Sequence, residues 1–280
     1  MKKKLFKEKQ LANQTLRRLA SLSSLVILSA CASEAEGTIT VAGSTTVTPI
    51  MRELAVAFAN ETGIHAQIQE IGTSSGINAT IEGASDIAMS SRALRDEELA
   101  SLTPINFAVD GMAVIVNPSN PINNLSLEQV TSIFAGEITN WSEIGGNNAI
   151  ITVVSREEGS GARTSFEGFV GLTDSGISLI RRDALIFNGT GGIIAAVSGN
   201  RNAIGYVTAG VLDGINVTDV SINGIRFSGE TVLNGTYIFA NNFYIAYGVD
   251  ASEDTRAFVD FIMSTAGQAV VAAAGFVPVN

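Results

Sequence analysis

Short apolar segments alternate with segments of helical spacing along most of this chain, and this alternation constrains its fold more than any other feature. Thr38 to Ala42 is a short apolar run, and Ile50, Leu54 and Phe58 follow it at the spacing of a helix. Further strands are predicted over 66–71, 86–90 and 107–116. Such alternation builds βαβ units, in which helices cover a sheet of parallel strands. The sequence therefore predicts an α/β fold with a mostly parallel sheet.

A segment rich in Pro and Asn, 118–124, predicts a crossing between two lobes. We expect the first lobe to comprise 38–116 and 238–280, and the second to comprise 117–237. Within the second lobe the pattern predicts helices over 126–135 and 161–170, strands over 150–155 and 203–207, and a hairpin over 224–236. A strand over 237–247 is expected to return the chain to the first lobe, because the last apolar helices need a sheet to pack on.

The first thirty residues differ in composition from the rest of the chain. Seven Lys and Arg residues precede an apolar run from Leu19 to Ala30. That run is shorter than the about 20 residues that a membrane-spanning helix needs, so 1–30 is predicted to be a removable export signal. Leu28-Ser29-Ala30-Cys31 resembles the lipobox of bacterial lipoproteins, in which the cysteine is acylated. We therefore expect an exported protein, anchored by lipid on Cys31 to the outer face of the cytoplasmic membrane or in the periplasm, with 31–37 as a tether.

The charge of the predicted mature chain narrows the possible ligands. Removing 1–30 leaves 10 basic residues against 26 acidic ones, a formal charge of −16, and no lysine. This balance argues against binding to nucleic acid, and it also argues against a polybasic contact with anionic lipid. An anionic ligand would have to be held by local hydrogen-bond donors, helix ends and arginine, because the long-range field opposes it.

Three loops combine glycine with hydroxyl residues immediately before a predicted helix: 43–46, 72–76 and 159–162. A helix start presents N–H groups without an intrahelical acceptor and a partial positive charge, and glycine allows a ligand to approach closely. Each loop alone is better explained as a plain N-cap. Their threefold recurrence predicts a cage of donors for a small oxyanion.

Other kinds of site lack support in the sequence. The P-loop pattern requires a lysine that the mature chain does not have. The single histidine, His65, lies on an apparent strand and offers no base for a catalytic serine. The acidic residues form no cluster with His or Cys, so we expect neither a metal nor a cofactor.

Six segments together resemble the phosphate-binding proteins of high-affinity phosphate ABC transporters: VAGSTTVTPI (41–50), IGTSSGI (71–77), GASDIAMSSR (83–92), REEGSGART (156–164), AIGYV (203–207) and the closing segment 258–279. The resemblance covers about 38–280. It implies a type II periplasmic-binding fold whose two lobes close on one inorganic phosphate. It also implies delivery to an ABC permease by a binding protein rather than an enzyme, and we expect a monomer.

The resemblance also implies roles for individual residues. Arg156 corresponds to the family's phosphate-binding arginine, Asp86 to an aspartate that accepts a proton of the phosphate, and Glu158 to a carboxylate that orients the arginine. Ala162 stands where the family commonly has Thr, which removes one hydroxyl donor. The remaining phosphate ligands are implied to be Thr45, Thr46, Ser74 or Ser75, Ser160, Gly161 and the Ala162 N–H, with Ser44 and Arg92 as possible additions.

Three alternatives remain open at this level. A receptor for another oxyanion, such as sulfate or molybdate, would need a site without a carboxylate facing the ligand, because these anions carry no proton for it to accept. A secreted phosphoester hydrolase would bind the same chemical group. A surface signalling or adhesion protein could retain the fold without transport.

Overall fold

The structure is a computed structural model, and it describes residues 38–280. The predictions for the export signal, Cys31 and the tether lie outside the described residues. The strands are, in chain order, β1 (Ile39–Gly43), β2 (Ala66–Glu70), β3 (Ile87–Ser90), β4 (Leu102–Val116), β5 (Asn124–Leu125), β6 (Thr152–Arg156), β7 (Thr173–Asp174), β8 (Ile177–Ser178), β9 (Leu185–Phe187), β10 (Ala203–Thr208), β11 (Thr218–Asp219), β12 (Ser221–Ile222), β13 (Ala240–Gly248) and β14 (Val277–Pro278).

The helices alternate with these strands as the sequence predicts. They are α1 (Thr48–Thr62), α2 (Thr73–Ile81), α3 (Asp96–Leu99), α4 (Leu127–Ala135), α5 (Gly161–Phe169), α6 (Gly189–Gly199), α7 (Gly229–Leu233), α8 (Glu253–Met263) and α9 (Thr265–Ala273), with 3-10 turns at Trp141–Ile144 and Ala209–Val211. α1 illustrates why they form: a proline stands in its first turn, Ile50, Leu54 and Phe58 form its buried face, and Gly63 ends it at a φ of 79°.

The main sheet runs in the order β2-β1-β3-β13-β4-β10-β6-β9. β1 pairs in parallel with β2 and β3, and β6 pairs in parallel with β10 and β9. β13 is antiparallel to β3 and β4, and β10 is antiparallel to β4. The predicted parallel sheet is therefore present as two parallel groups, which the antiparallel strands β13 and β4 join.

Two main hydrophobic cores lie on either side of this junction. The first core contains Phe58, Phe107 and Phe243, and the last helices pack on it through Phe258 and Val271, as predicted. The second core is built around the following aromatic side chains: Phe134, Trp141, Phe166 and Tyr206. The rings of Phe166 and Tyr206 stack with centroids 4.0 Å apart, which adds about 0.5–1.5 kcal/mol to the effect of their burial.

Two secondary-structure expectations differ from the structure. The predicted hairpin at 224–236 is wrong, because α7 occupies its centre with Ser228 as N-cap. Helix α6 was not expected, because glycines open it and glycine has a low helix propensity. Within residues 38–280, no helix combines the length and the apolar character that crossing a membrane requires.

Candidate anion-binding site

The predicted loops meet at the carboxyl ends of the parallel strands. The loop after β1 leads into α1, the loop after β2 into α2, the loop after β6 into α5 and the loop after β9 into α6. In open α/β sheets, the carboxyl ends of strands are where ligands bind, because helix starts and loops face one space there. The fold therefore places the glycine-and-hydroxyl loops around a common point.

Three buried hydroxyls, Ser44, Thr73 and Ser91, lie at that point and are called the hydroxyl cluster below. Ser44 Oγ donates to Ser91 Oγ at 2.9 Å, and Ser91 Oγ lies 3.4 Å from Thr73 Oγ1. Each side chain is at most 3% exposed. A hydroxyl both donates and accepts, so this cluster can adapt to a ligand that offers either oxygen lone pairs or a proton.

Helix α5 begins directly against the hydroxyl cluster. A Cβ atom on Gly161 would lie 2.6 Å from both Ser91 Oγ and Thr73 Oγ1, so no other residue fits without displacing them. Ser160 caps the helix by accepting from Arg163 N at 3.3 Å. The first N–H groups of α5, which have no intrahelical acceptor, therefore start beside the cluster.

Arg156 supplies a buried cation next to these donors. Its Nε and Nη2 atoms each donate to the Glu157 carboxylate at 2.7 Å, and Nη2 also donates to Thr45 Oγ1 at 3.1 Å. Its backbone N–H donates to the Tyr206 hydroxyl at 3.2 Å, which anchors the end of β6 in the second core. The guanidinium is thus held rigidly, and it points toward the first-loop threonine.

Glu157, and not Glu158 as expected, is the carboxylate that orients Arg156. Burial raises the pKa of the Glu157 carboxyl, but the hydrogen bonds and charge of Arg156 outweigh burial and hold the pKa below its usual value. Glu157 also accepts from the Gly189 N–H at the start of α6 at 3.3 Å. Glu158 is exposed, and Gly159, the next residue, has a positive φ of 81°.

The start of α6 brings a fourth glycine-and-hydroxyl segment to the site. Thr190 Oγ1 lies 3.5 Å from Thr46 Oγ1, and both side chains are buried. A Cβ atom on Gly189 would lie 3.7 Å from the Thr45 methyl group. Thr45 therefore lies beside both the Arg156 guanidinium and the start of α6, and Thr46 lies beside Thr190.

The structure does not bring Asp86 to this site, which corrects its assignment as the acceptor of a phosphate proton. Asp86 precedes β3, so it lies at the amino end of the sheet, opposite the hydroxyl cluster. Its Oδ2 accepts from Thr40 N and from Thr40 Oγ1, both at 2.7 Å. The carboxylate ties the start of β3 to β1 and has a structural role.

The remaining predicted residues lie at the margin of the site. Ser74 accepts from Arg92 Nη2 at 3.3 Å, and its backbone N–H donates to Gly159 O at 3.2 Å. Ser75 is exposed and lines a crevice of about 280 Å³, which Thr45, Glu157 and Gly189 also line. The crevice therefore lies next to Thr45 at the edge of the site.

Arg92 is buried, but it pairs with a carboxylate of its own loop. Its Nη1 and Nη2 atoms donate to the two oxygens of Glu98 at 2.8 and 2.7 Å. Burial raises the pKa of Glu98, but the hydrogen bonds and charge of Arg92, together with the backbone N–H of Arg95, outweigh burial and hold the pKa below its usual value. Its bond to Ser74 is the contact that Arg92 makes with the margin of the site.

Ala162 has its methyl group in the second core, at 3% exposure. Its backbone N–H belongs to the first turn of α5, so it remains one of the donors at the helix start. Where the family commonly has a Thr hydroxyl, this chain therefore has the Ala162 methyl group, which packs among apolar side chains.

Sequence reasoning missed Ser91, Thr73 and Thr190. Ser91 follows the carboxyl end of β3, so the rule that ligands bind at this end of parallel strands would have favoured it over Asp86. Thr73 opens α2 after Gly72 and directly precedes Ser74 and Ser75, the predicted ligands. Thr190 lies in Gly189-Thr190-Gly191-Gly192, which repeats the glycine-and-hydroxyl pattern of the other loops.

The chemistry of this arrangement is that of an oxyanion receptor. Helix-start N–H groups, hydroxyls and one guanidinium surround a small space, and all of them can donate to oxygen. Among the described residues, no group of three or more His, Cys, Asp or Glu side chains is placed to hold a metal ion.

Comparison with known proteins places the chain in a family. Residues 29–266 match the model of the PBP superfamily domain. The phosphate-binding protein PstS of Bacillus subtilis is 30% identical over 261 residues, which cover 88% of this chain and 82% of that protein. The chain belongs to the PBP superfamily, in the family of the phosphate-binding proteins PstS.

Solved structures agree with this membership. A phosphate ABC transporter substrate-binding protein of Clostridium perfringens, solved with bound phosphate, superimposes with a TM-score of 0.83 at 38% identity, over 87% of this chain and all of that one. An ABC-type phosphate transport receptor of Vibrio cholerae gives a TM-score of 0.71 at 33% identity, over 85% of this chain and 99% of that one. The expected periplasmic-binding-protein fold is confirmed.

Proposed function

We propose that this protein captures inorganic phosphate outside the cytoplasm and delivers it to an ABC importer. The observation that carries the proposal is the convergence of the α5 and α6 starts, Arg156 and the hydroxyl cluster on one small space. The phosphate-bound relative from Clostridium perfringens supports the choice of anion.

The ligands of the phosphate would come from both sides of this space. Arg156 compensates charge through a charge-assisted hydrogen bond, and the α5 start contributes backbone N–H groups that cost little entropy to order. The hydroxyls complete the cage, and one of them accepts the proton that phosphate carries near neutral pH. We assign as ligands Ser44, Thr45, Thr46, Thr73, Ser91, Arg156, Ser160, Gly161 and the Ala162 N–H, with Ser74 and Ser75 at the rim.

We further propose that the two cores belong to two lobes that close on the anion. The separate cores support a division close to 38–116 with 238–280, and 117–237, although the second core also includes Phe239 and Val277. Met112, Val114 and Val116 pack in the second core, which favours a crossing near Gly111 in β4. Closure would mark the loaded receptor for the permease.

Lipid anchoring through Cys31 belongs to the same proposal. The lipobox-like segment before Cys31 supports it, and two acyl chains on one residue suffice for stable attachment. Because Cys31 is the sole thiol of the chain, Cys31→Ser should abolish labelling with a radioactive fatty acid. Unchanged labelling of this variant would remove the anchor from the proposal.

The function is tested on the purified protein by denaturing it and assaying the released phosphate. About one phosphate per chain is expected for protein from phosphate-replete cells. The same preparation, incubated with a chromogenic phosphomonoester, should release no product, since the proposed ligands bind oxygen without supplying a nucleophile and base. Rapid turnover of the ester would favour a hydrolase instead.

A further inference from the structure

The hydroxyl of Ser165 makes a hydrogen bond between the two proposed lobes, away from the proposed phosphate ligands. Ser165 lies on α5, one turn after the helix starts, and its Oγ donates to the backbone carbonyl of Ser91 at 3.0 Å. Ser91 follows β3, whose strand belongs to the first core. The bond therefore joins the second lobe directly to the loop that carries a proposed ligand.

The Ser91 carbonyl also accepts from Asn241 Nδ2 at 3.1 Å. Asn241 stands on β13, where the sheet passes between its two parallel groups, and pairs in register with Asp110 of β4. A carbonyl oxygen has two lone pairs, so these two donors fill its capacity. The backbone carbonyl of Ser91 thus connects α5 with β13, while the Ser91 side chain lies in the hydroxyl cluster.

Ser165 lies outside the cluster itself. It lines a separate crevice of about 270 Å³, together with Arg92, Asn241 and Asn242. Other bonds between the lobes, such as Arg156 to Thr45 and Thr46 to Thr190, involve residues whose groups would rearrange around an anion. The Ser165 bond is made to backbone and remains available whichever anion is bound.

We propose that Ser165 is a positioning residue that holds the lobes closed and so slows release of the anion. This inference rests on the proposed function. A neutral hydrogen bond that forms only on closure favours the closed arrangement by a modest factor, and interactions of this kind act mainly on the dissociation rate. Because Ser165 lies outside the hydroxyl cluster and lines a separate crevice, its loss should leave the preference among anions unchanged.

The test measures phosphate release by stopped-flow mixing with a fluorescent phosphate sensor, using the mature chain. Ser165→Ala should release phosphate roughly three- to tenfold faster than the wild type, with an unchanged ratio of phosphate to arsenate affinity and an unchanged melting temperature without ligand. Ser165→Thr retains the hydroxyl and should restore slow release. The matched control is Ser198→Ala, which removes a helical serine hydroxyl that donates to Ala195 O within its own helix.

The possible outcomes distinguish a failure of the Ser165 role from a failure of the proposed phosphate-binding function. Failure of the wild type to bind phosphate would refute the proposed function. Wild-type binding together with an unchanged release rate in Ser165→Ala would overturn the role of Ser165 alone. An altered ratio of phosphate to arsenate affinity, or equally fast release in Ser198→Ala and Ser165→Ala, would also overturn it.

Discussion

Arg156 is buried and paired with the Glu157 carboxylate, and this pairing fixes the orientation of its guanidinium. The bonds to Glu157 and Thr45 use three of its five N–H donors. The planar fork stays oriented toward the hydroxyls while its charge is partly compensated. An anion that enters the site meets a donor that needs little reorganisation, which is the condition for a strong charge-assisted bond.

Arg156→Lys is predicted to weaken phosphate binding about ten- to hundredfold, because a lysine retains the charge but loses the planar fork. The comparison should be made by equilibrium titration. The matched control is Arg226→Lys, an exposed arginine that pairs with Asp219, and it should bind like the wild type. Equal affinities for all three proteins would remove Arg156 from the site.

Glu157→Gln is predicted to destabilise the ligand-free protein, since Arg156 is left buried without its carboxylate. The loss should be about 1–3 kcal/mol, less than for a fully buried pair because Glu157 is half-buried. The neighbouring substitution Glu158→Gln is the control, and it should change the unfolding free energy little. Urea unfolding without phosphate measures both variants, and similar losses would show that Glu157 has no special role.

At the scale of elements, the sequence predicted the βα units well because their apolar periodicity is local. It predicted only some of the residues that meet at their ends: Thr45 and Arg156 are among the predicted residues, whereas Thr73 and Ser91 are not. Glu157 and Glu158 are adjacent carboxylates that follow the same strand, and sequence order alone does not show which of them faces Arg156. Choosing between Asp86 and Ser91 depends on which end of β3 faces the loops. The direction of β3 favours Ser91, because Ser91 follows the carboxyl end of the strand and Asp86 precedes its amino end.

Strand β4 carries a buried carboxyl at the junction between the cores. Asp110 is fully buried, and it accepts from Gly111 N at 2.7 Å and from Gly210 N at 3.2 Å. Burial raises the pKa of Asp110 to about 7, although both backbone N–H groups oppose the shift. Because the folded-state pKa lies above the unfolded one, its stabilising contribution is complete below about pH 4 and is lost as the pH rises through about 7.

Asp110→Asn is therefore predicted to gain stability relative to the wild type as the pH rises from about 5 to 8. The difference should grow by at most about 1.4 kcal/mol per pH unit, with most of the change complete near pH 7. Urea unfolding of phosphate-free protein at several pH values measures it, and Asp213→Asn, on an exposed loop, is the control. A difference between Asp110→Asn and the wild type that does not vary with pH would contradict the raised pKa.

At the scale of the whole molecule, a chain with a formal charge of −16 after signal removal is proposed to bind an anion. Its long-range field repels phosphate, so affinity must come from short-range donors at the helix starts and Arg156. The two proposed lobes, each with its own core, would let these donors approach the anion from opposite sides. The acidic composition by itself predicts that local donors must hold the anion, and the fold brings such donors together.

The most direct test is calorimetric titration of the ligand-stripped mature protein with phosphate, and then with sulfate, at one pH and salt concentration. One phosphate should bind per chain. Sulfate should bind about tenfold more weakly, because it has no proton to donate to a hydroxyl whose own proton is already donated to a neighbour, as that of Ser44 is to Ser91, and so makes one hydrogen bond fewer. Sulfate binding as tight as that of phosphate, or no heat with phosphate, would contradict the assignment of this protein as a phosphate receptor.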